Sequence, residues 1–205
     1  MAGFSVEVNR SDLAEVERTL TGVKNGYSKV VSRSLNRTIT GVRTDSVKEI
    51  QNVITPKATV IRKTFKMVKA TKVSLIAAVK SSGGPLPLIH YKARQTKRGV
   101  TVQVKKKSSR ALFPGAFIAT MPKSKHVGVF QREYKDKRLP AKKARTGLAY
   151  GALPKKYRLP IKQLYGPRVP DIMENTDVMK PILKKAGDRL QKELNSQLNF
   201  EMSKL

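Results

Sequence analysis

The chain has 205 residues, with 43 Lys and Arg against 14 Asp and Glu, a formal net charge of +29, and no cysteine. Length alone allows a real core, since a chain of this size buries about 70% of its unfolded surface. The lack of cysteine excludes disulfides, thiolate metal sites and cysteine nucleophiles, and fits synthesis in a reducing cytoplasm.

The N-terminus, MAGFSVEVNRSDLAEVE, lacks the apolar run of a signal peptide. No stretch approaches the ~20 apolar residues of a membrane helix, so the chain reads as soluble with no membrane partner. Phe4, Val6 and Val8 alternate with polar neighbours and predict a short first strand. Ser11 then offers an N-cap, with Asp12 and Glu15 in the first turn, and Leu13, Val16, Leu20 and Val23 continue at helical spacing to Asn25-Gly26. A second helix carries Tyr27, Val30, Val31, Leu35, Ile39, Val42, Val47, Ile50, Val53 and Ile54 on one stripe, with Ser28, Lys29, Ser32, Arg33, Asn36, Arg37 and Thr40 opposite.

Thr55-Pro56 closes that helix and starts a basic one, with Thr55 as N-cap, Pro56 at the first position, and Val60, Ile61, Phe65 and Val68 inward. The period then drops to two over Val73, Leu75, Ala77 and Val79, a strand ended by the Ser81–Pro85 turn. Leu86 to Tyr91 and Val100, Val102 and Val104 predict strands around a Lys97-Arg98-Gly99 turn. Ala116 to Met121 and Val127 to Arg132 predict a hairpin.

Residues 134–156, YKDKRLPAKKARTGLAYGALPKK, show no apolar period and read as a basic arm or loop inserted in a single domain spanning 1–205. A last strand follows from Arg158 to Leu164. A C-terminal helix starts near Asn175 or Thr176, with Val178, Ile182, Leu183, Ala186, Leu190, Leu194 and Leu198 as its face and Pro181 in its first turns. The order predicts an α+β fold: long N-terminal helices, a central antiparallel sheet with basic loops, and a C-terminal helix.

The charge is concentrated. Residues 1–50 and 171–205 are nearly neutral, whereas residues 51–170 hold 29 Lys and Arg against Glu133 and Asp136 alone. Crowding of one sign destabilises a compact state, so this section implies a polyanionic partner, either nucleic acid or an acidic protein face. The densest clusters fall in predicted turns and loops: Lys105, Lys106, Lys107 and Arg110, then Lys137, Arg138, Lys142, Lys143, Arg145, Lys155 and Lys156. Cations on loops favour sequence-independent contact with phosphates over base readout.

No catalytic site is apparent. His90 and His126 lie far apart with no acid nearby in sequence. Asp171, Glu174 and Asp177 lack the spacing of a nuclease metal site and suit the positive end of a helix. No phosphate-binding loop, metal site or cofactor motif is present. The composition therefore reads as non-enzymatic and cofactor-free.

An ordered set of segments carries a resemblance: SLNRTITGVRTDSVKEI, the basic run after Thr55-Pro56, LPLIHY at 86–91, PGAFIATM at 114–121, VFQRE at 129–133, RLPIKQLYGPRVPDIM at 158–173, and the Leu-rich C-terminal helix. From about Gly22 onward, apart from 134–156, the chain resembles the minor tail protein Z family of long-tailed phages and prophages. The resemblance implies a virion protein that completes the tail and joins it to the head. It implies neck and tail partners such as the tail terminator and tube, and genomic DNA nearby. Six-fold tail symmetry makes a ring of six copies the expectation. The competing reading is a sequence-independent nucleic-acid-binding module of ribosomal-protein type, monomeric and directed to RNA.

Overall fold

The computed structural model describes residues 2–6, 18, 26–122, 124–132 and 161–204. These residues form two compact units: one of 1–52, 57–84 and 168–205, the other of 53–56 and 85–167. The α+β class expected from the sequence is what forms.

The first unit is built on two long helices, α1 (Gly26–Val53) and the C-terminal α4 (Thr176–Met202). The apolar stripe of α1 is buried as its spacing requires: Val30, Val31, Leu35, Ile39, Val42, Val47 and Ile50 are at most 2% exposed. Four ion pairs tie the helices together: Arg33–Glu201 at 2.7 Å, Arg37–Glu193 at 3.5 Å, Asp45–Arg189 at 2.7 Å and Glu49–Lys185 at 2.6 Å. Residue numbers rise along α1 as they fall along α4, so the pair is antiparallel. Gly41 makes room for this contact, because a Cβ there would lie 2.4 Å from Arg189 Nε.

α4 begins where expected. Asn175 is the N-cap, its side-chain oxygen accepting from the Asp177 backbone N–H at 3.1 Å, which satisfies one orphan donor of the first turn. Its buried face differs from the leucine stripe. Val178, Ile182, Ala186 and Leu194 are buried together with Gln197 and Glu201, whereas Leu183 is 49% exposed. Leu183 is one residue from the Val178–Ile182–Ala186 line, and 100° per residue carries it off that face.

Thr55 does not cap the following helix. Its hydroxyl donates to the Gln103 carbonyl and its N–H to Val104 O at 3.2 Å. The helix α2 is shorter than expected, Ala58–Lys63, with Lys57 at the N-cap and no side-chain cap bond. Phe65–Val68, expected as helix, is strand β2. It pairs with β3 (Ala77–Ser81), whose other side takes β1 (Ala2–Val6), all antiparallel. β3 therefore starts later than the expected strand, and Val73, predicted within it, is 97% exposed. The intervening loop is fastened to α1 by Asn36, whose amide both donates to Ala70 O and accepts from Ala70 N at 2.9 Å. A short helix α3 (Val169–Met173) precedes α4.

The second unit holds two three-stranded antiparallel sheets. One has the order β4 (Arg94–Thr96), β5 (Gly99–Val102), β6 (Ala111–Pro114). The other has β7 (Phe117–Thr120), β8 (Val127–Arg132), β9 (Ile161–Gln163). The β7–β8 hairpin and the Lys97-Arg98-Gly99 turn form as read. Gly99 is required at that turn: φ is +148°, and a Cβ would lie 2.2 Å from Phe113 O. The Leu86–Tyr91 segment is a correction. It forms a 3-10 turn over Leu88–His90, with Pro87 bridging Tyr165. Two prolines at 85 and 87 remove ladder donors, which disfavours an extended pairing. Tyr91 is fully buried, its hydroxyl donating to Pro167 O at 2.8 Å. Of the last expected strand, residues 158–160 lie outside the described residues, as do the first predicted helix, apart from Arg18, and the 134–156 segment.

Candidate polyanion-contacting surface

The charge divides with the units. Every described carboxylate belongs to the first unit, and six of its cations engage them in ion pairs. The second unit has 21 Lys and Arg against only Glu133 and Asp136 in sequence. Its surface potential is therefore strongly positive whatever the detailed positions of its long side chains.

Lys105, Lys106 and Lys107 are exposed on a turn held rigidly at its base. Lys105 bridges Ile54, and Lys106 N–H donates to Val53 O at 2.9 Å. The Gln103 amide donates to both Lys106 O at 3.1 Å and Ser108 O at 3.2 Å, so one side chain spans the turn from beneath. The backbone is fixed and the three ammonium groups are displayed on flexible stems, which suits contact with a charged backbone.

Arg110 is placed differently. Its guanidinium donates to Lys92 O at 2.6 Å, Thr101 O at 2.8 Å and Thr101 Oγ1 at 3.3 Å. It braces β5 against the chain before β4. Lys137, Arg138, Lys142, Lys143, Arg145, Lys155 and Lys156 lie outside the described residues. The structure adds cations that the sequence reading left out of the site. Arg94 is exposed on the edge strand β4, and Lys97 and Arg98 are exposed at the β4–β5 turn. Their signal was available, because a turn that places Lys-Arg before an obligatory glycine displays both side chains.

The residues considered for chemistry are dispersed. The His126 Nε2 meets the Gln163 amide at 2.8 Å. Asp171 pairs with Arg168 at 2.9 Å, and Asp177 stands in the first turn of α4. Among the described residues no group of three or more His, Asp or Glu is placed to hold a metal ion. No described helix is long and apolar enough to cross a membrane. Burial pushes the Tyr91 phenol well above the ordinary tyrosine range, as expected for a charge-averse interior.

Fold and surface together define a basic α+β protein whose distinctive chemistry is charge displayed on braced turns. The chain belongs to the prophage minor tail protein Z (GPZ) family, whose model matches residues 12–204. It is thus a phage minor tail protein, a structural component with a place in the virion and other tail proteins as neighbours. Searches of curated proteins and of solved structures gave no match.

Proposed function

We propose that the protein completes the phage tail and joins it to the head as a ring of six copies, without catalysis. In this reading the basic second unit lies against genomic DNA or against acidic neck and tail subunits such as the tail terminator and tube. The whole chain acts as one structural piece, and the Lys and Arg of 134–156 take part in the same contact as Lys105–Lys107.

The observation that carries the reading is the segregation of charge. A unit with 21 cations and two acids in its sequence repels itself in isolation. A polyanion alongside it relieves that repulsion, and released counterions drive the association. The braced Lys105–Lys107 turn supplies a display site that needs no sequence readout.

The test is twofold. The purified protein is expected to form species of six times the 22.8 kDa chain mass in native mass spectrometry. Its affinity for duplex DNA is expected to fall about 10³–10⁵-fold between about 50 and 200 mM salt if six to ten phosphates are neutralised. A persistent monomer that protects ribosomal RNA would overturn the ring in favour of an RNA-binding module.

A further inference from the structure

On the first unit, the α1–α4 seam opens into a groove of about 440 Å³ lined by Arg33, Asn36, Arg37, Gln197, Phe200 and Lys204. We infer that this groove is a binding site for a short acidic peptide segment of a partner protein.

Three features of the groove point to that ligand. The first is Gln197, which is only 4% exposed and lines the groove. Its side-chain amide makes no hydrogen bond among the described residues, and its polar atoms stay open to solvent at the groove rather than being sealed inside. An amide presents two N–H donors and an oxygen acceptor, which matches the alternating C=O and N–H of an extended peptide. By contrast, the Asn36 amide beside it is committed to Ala70 on both sides.

The second feature is incompletely used cations. Arg37 is 59% exposed and touches Glu193 only at 3.5 Å. Arg33 gives one nitrogen to Glu201 at 2.7 Å, and Lys204 reaches the same carboxylate at 3.6 Å. A guanidinium has five N–H donors in a fork, so both arginines keep donors for an incoming carboxylate. The third is Phe200, 50% exposed at the groove wall, which gives an apolar side chain a surface to cover.

The same geometry argues against a nucleotide. Base stacking needs an open ring face, and the Lys204 ammonium, 4.0 Å over the Phe200 ring, occupies one of the two. Glu193 and Glu201 also stand within the ion-pair network, and they would repel closely spaced phosphates more than carboxylates interrupted by apolar side chains. All the residues that line the groove belong to the first unit, so the inference stands or falls independently of the DNA-contact reading.

The experiment uses the full chain and a fluorescein-labelled hexapeptide, Asp-Leu-Glu-Asp-Leu-Glu, with Asn-Leu-Gln-Asn-Leu-Gln as the neutral control and a dT decamer as the nucleic-acid probe. Anisotropy is read at about 150 mM salt, where exposed charges beyond a Debye length of about 8 Å are screened. The acidic peptide is expected to bind and the neutral one not. Arg37→Ala combined with Gln197→Ala is expected to weaken acidic-peptide binding about tenfold or more, since it removes a charge-assisted bond and an amide contact. The triple change of Lys105, Lys106 and Lys107 to Ala is expected to alter it by less than about twofold, since none of these lysines lines the groove. Because Gln197 is buried, Arg37→Ala alone serves as the variant that leaves the fold unchanged, with a smaller loss expected. Absence of peptide binding, equal binding of the neutral peptide, or a loss carried by the lysine triple would overturn the inference. So would dT binding that depends on Arg37 and Gln197, which would make the ligand a nucleic acid.

Discussion

Leu35 and Leu183 make a paired test of the helical framework. Both lie on stripes that the sequence spacing would bury, yet Leu35 is 0% exposed on α1 and Leu183 is 49% exposed on α4. Leu35→Ala removes buried methyl groups and leaves a cavity among neighbours that relax only partly, a loss of about 2–5 kcal/mol. Against a total stability of about 5–15 kcal/mol, that is a large fraction. Leu183→Ala removes a half-exposed side chain, leaves no closed cavity and changes helix propensity little, so its expected cost is about 1 kcal/mol or less. Urea unfolding followed by circular dichroism at 222 nm reports mainly α1 and α4. With a slope of about 1–3 kcal/mol per molar urea, Leu35→Ala is expected to lower the midpoint by about 1–2 M and Leu183→Ala by much less. Equal shifts for the two, or a Leu35→Ala loss below about 1 kcal/mol, would refute the burial pattern. Leu35→Asp places an unpaired charge in the same position, and recovery of soluble, folded protein would contradict it equally.

Tyr91→Phe leaves the Pro167 carbonyl without its buried donor and is expected to cost about 1–3 kcal/mol in the same urea assay. Tyr91 also sets an alkaline limit. Its raised pKa means the folded state holds the proton above about pH 10 while the unfolded state releases it. Stability is therefore expected to be full below that pH and to fall above it, with the slope reduced in Tyr91→Phe. Gly166→Ala would put a Cβ 2.5 Å from the buried Tyr91 ring, and an expected loss of about 1–3 kcal/mol is checked by thermal melting. At the acid end, the hydrogen bond from Lys185 holds the Glu49 carboxyl below its ordinary range. Its contribution is present above that range and lost as pH falls through the lowered value, so Lys185→Ala is expected to raise the Glu49 titration in side-chain NMR. Replacing Lys105, Lys106 and Lys107 together by Ala is expected to leave the melting curve unchanged and to reduce the salt slope of DNA binding by about 3. An unchanged slope would assign that turn to a protein partner.

The sequence was most legible where one local rule decided the outcome. The α1 stripe had enough repeats for its period to be unambiguous, Asn175 offered its cap directly, and Gly99 marked a turn that no other residue could make without meeting Phe113 O. Short apolar runs were less legible. Phe65–Val68 and Leu86–Tyr91 fit more than one period, and sheet partners or neighbouring prolines distant from any local pattern decided them. Thr55 had the chemistry of a cap, but the Gln103 carbonyl offered its hydroxyl a tertiary partner instead. The basic turn at Lys105–Lys107 could be read as exposed, because three consecutive lysines have no way to be buried together. That Arg110 braces the backbone was not readable, since its partners Lys92 and Thr101 carry no sequence mark. The groove was the least legible feature. Arg37 and Gln197 meet only through the antiparallel seam, and a glutamine within a leucine-rich stripe gives no sign that its amide lacks a partner.

The proposed role requires an anionic neighbour against the lysines of the second unit in the assembled particle. Lysine acetylation with a water-soluble reagent, compared by mass spectrometry between intact virions and the purified chain, measures this directly. Lys105, Lys106 and Lys107 are expected to react several-fold more slowly in virions, because a lysine held against an anionic neighbour is shielded from the reagent. Equal reactivity at all three in the two preparations would mean that they face open solvent in the particle, and the proposed role of the basic unit would be wrong.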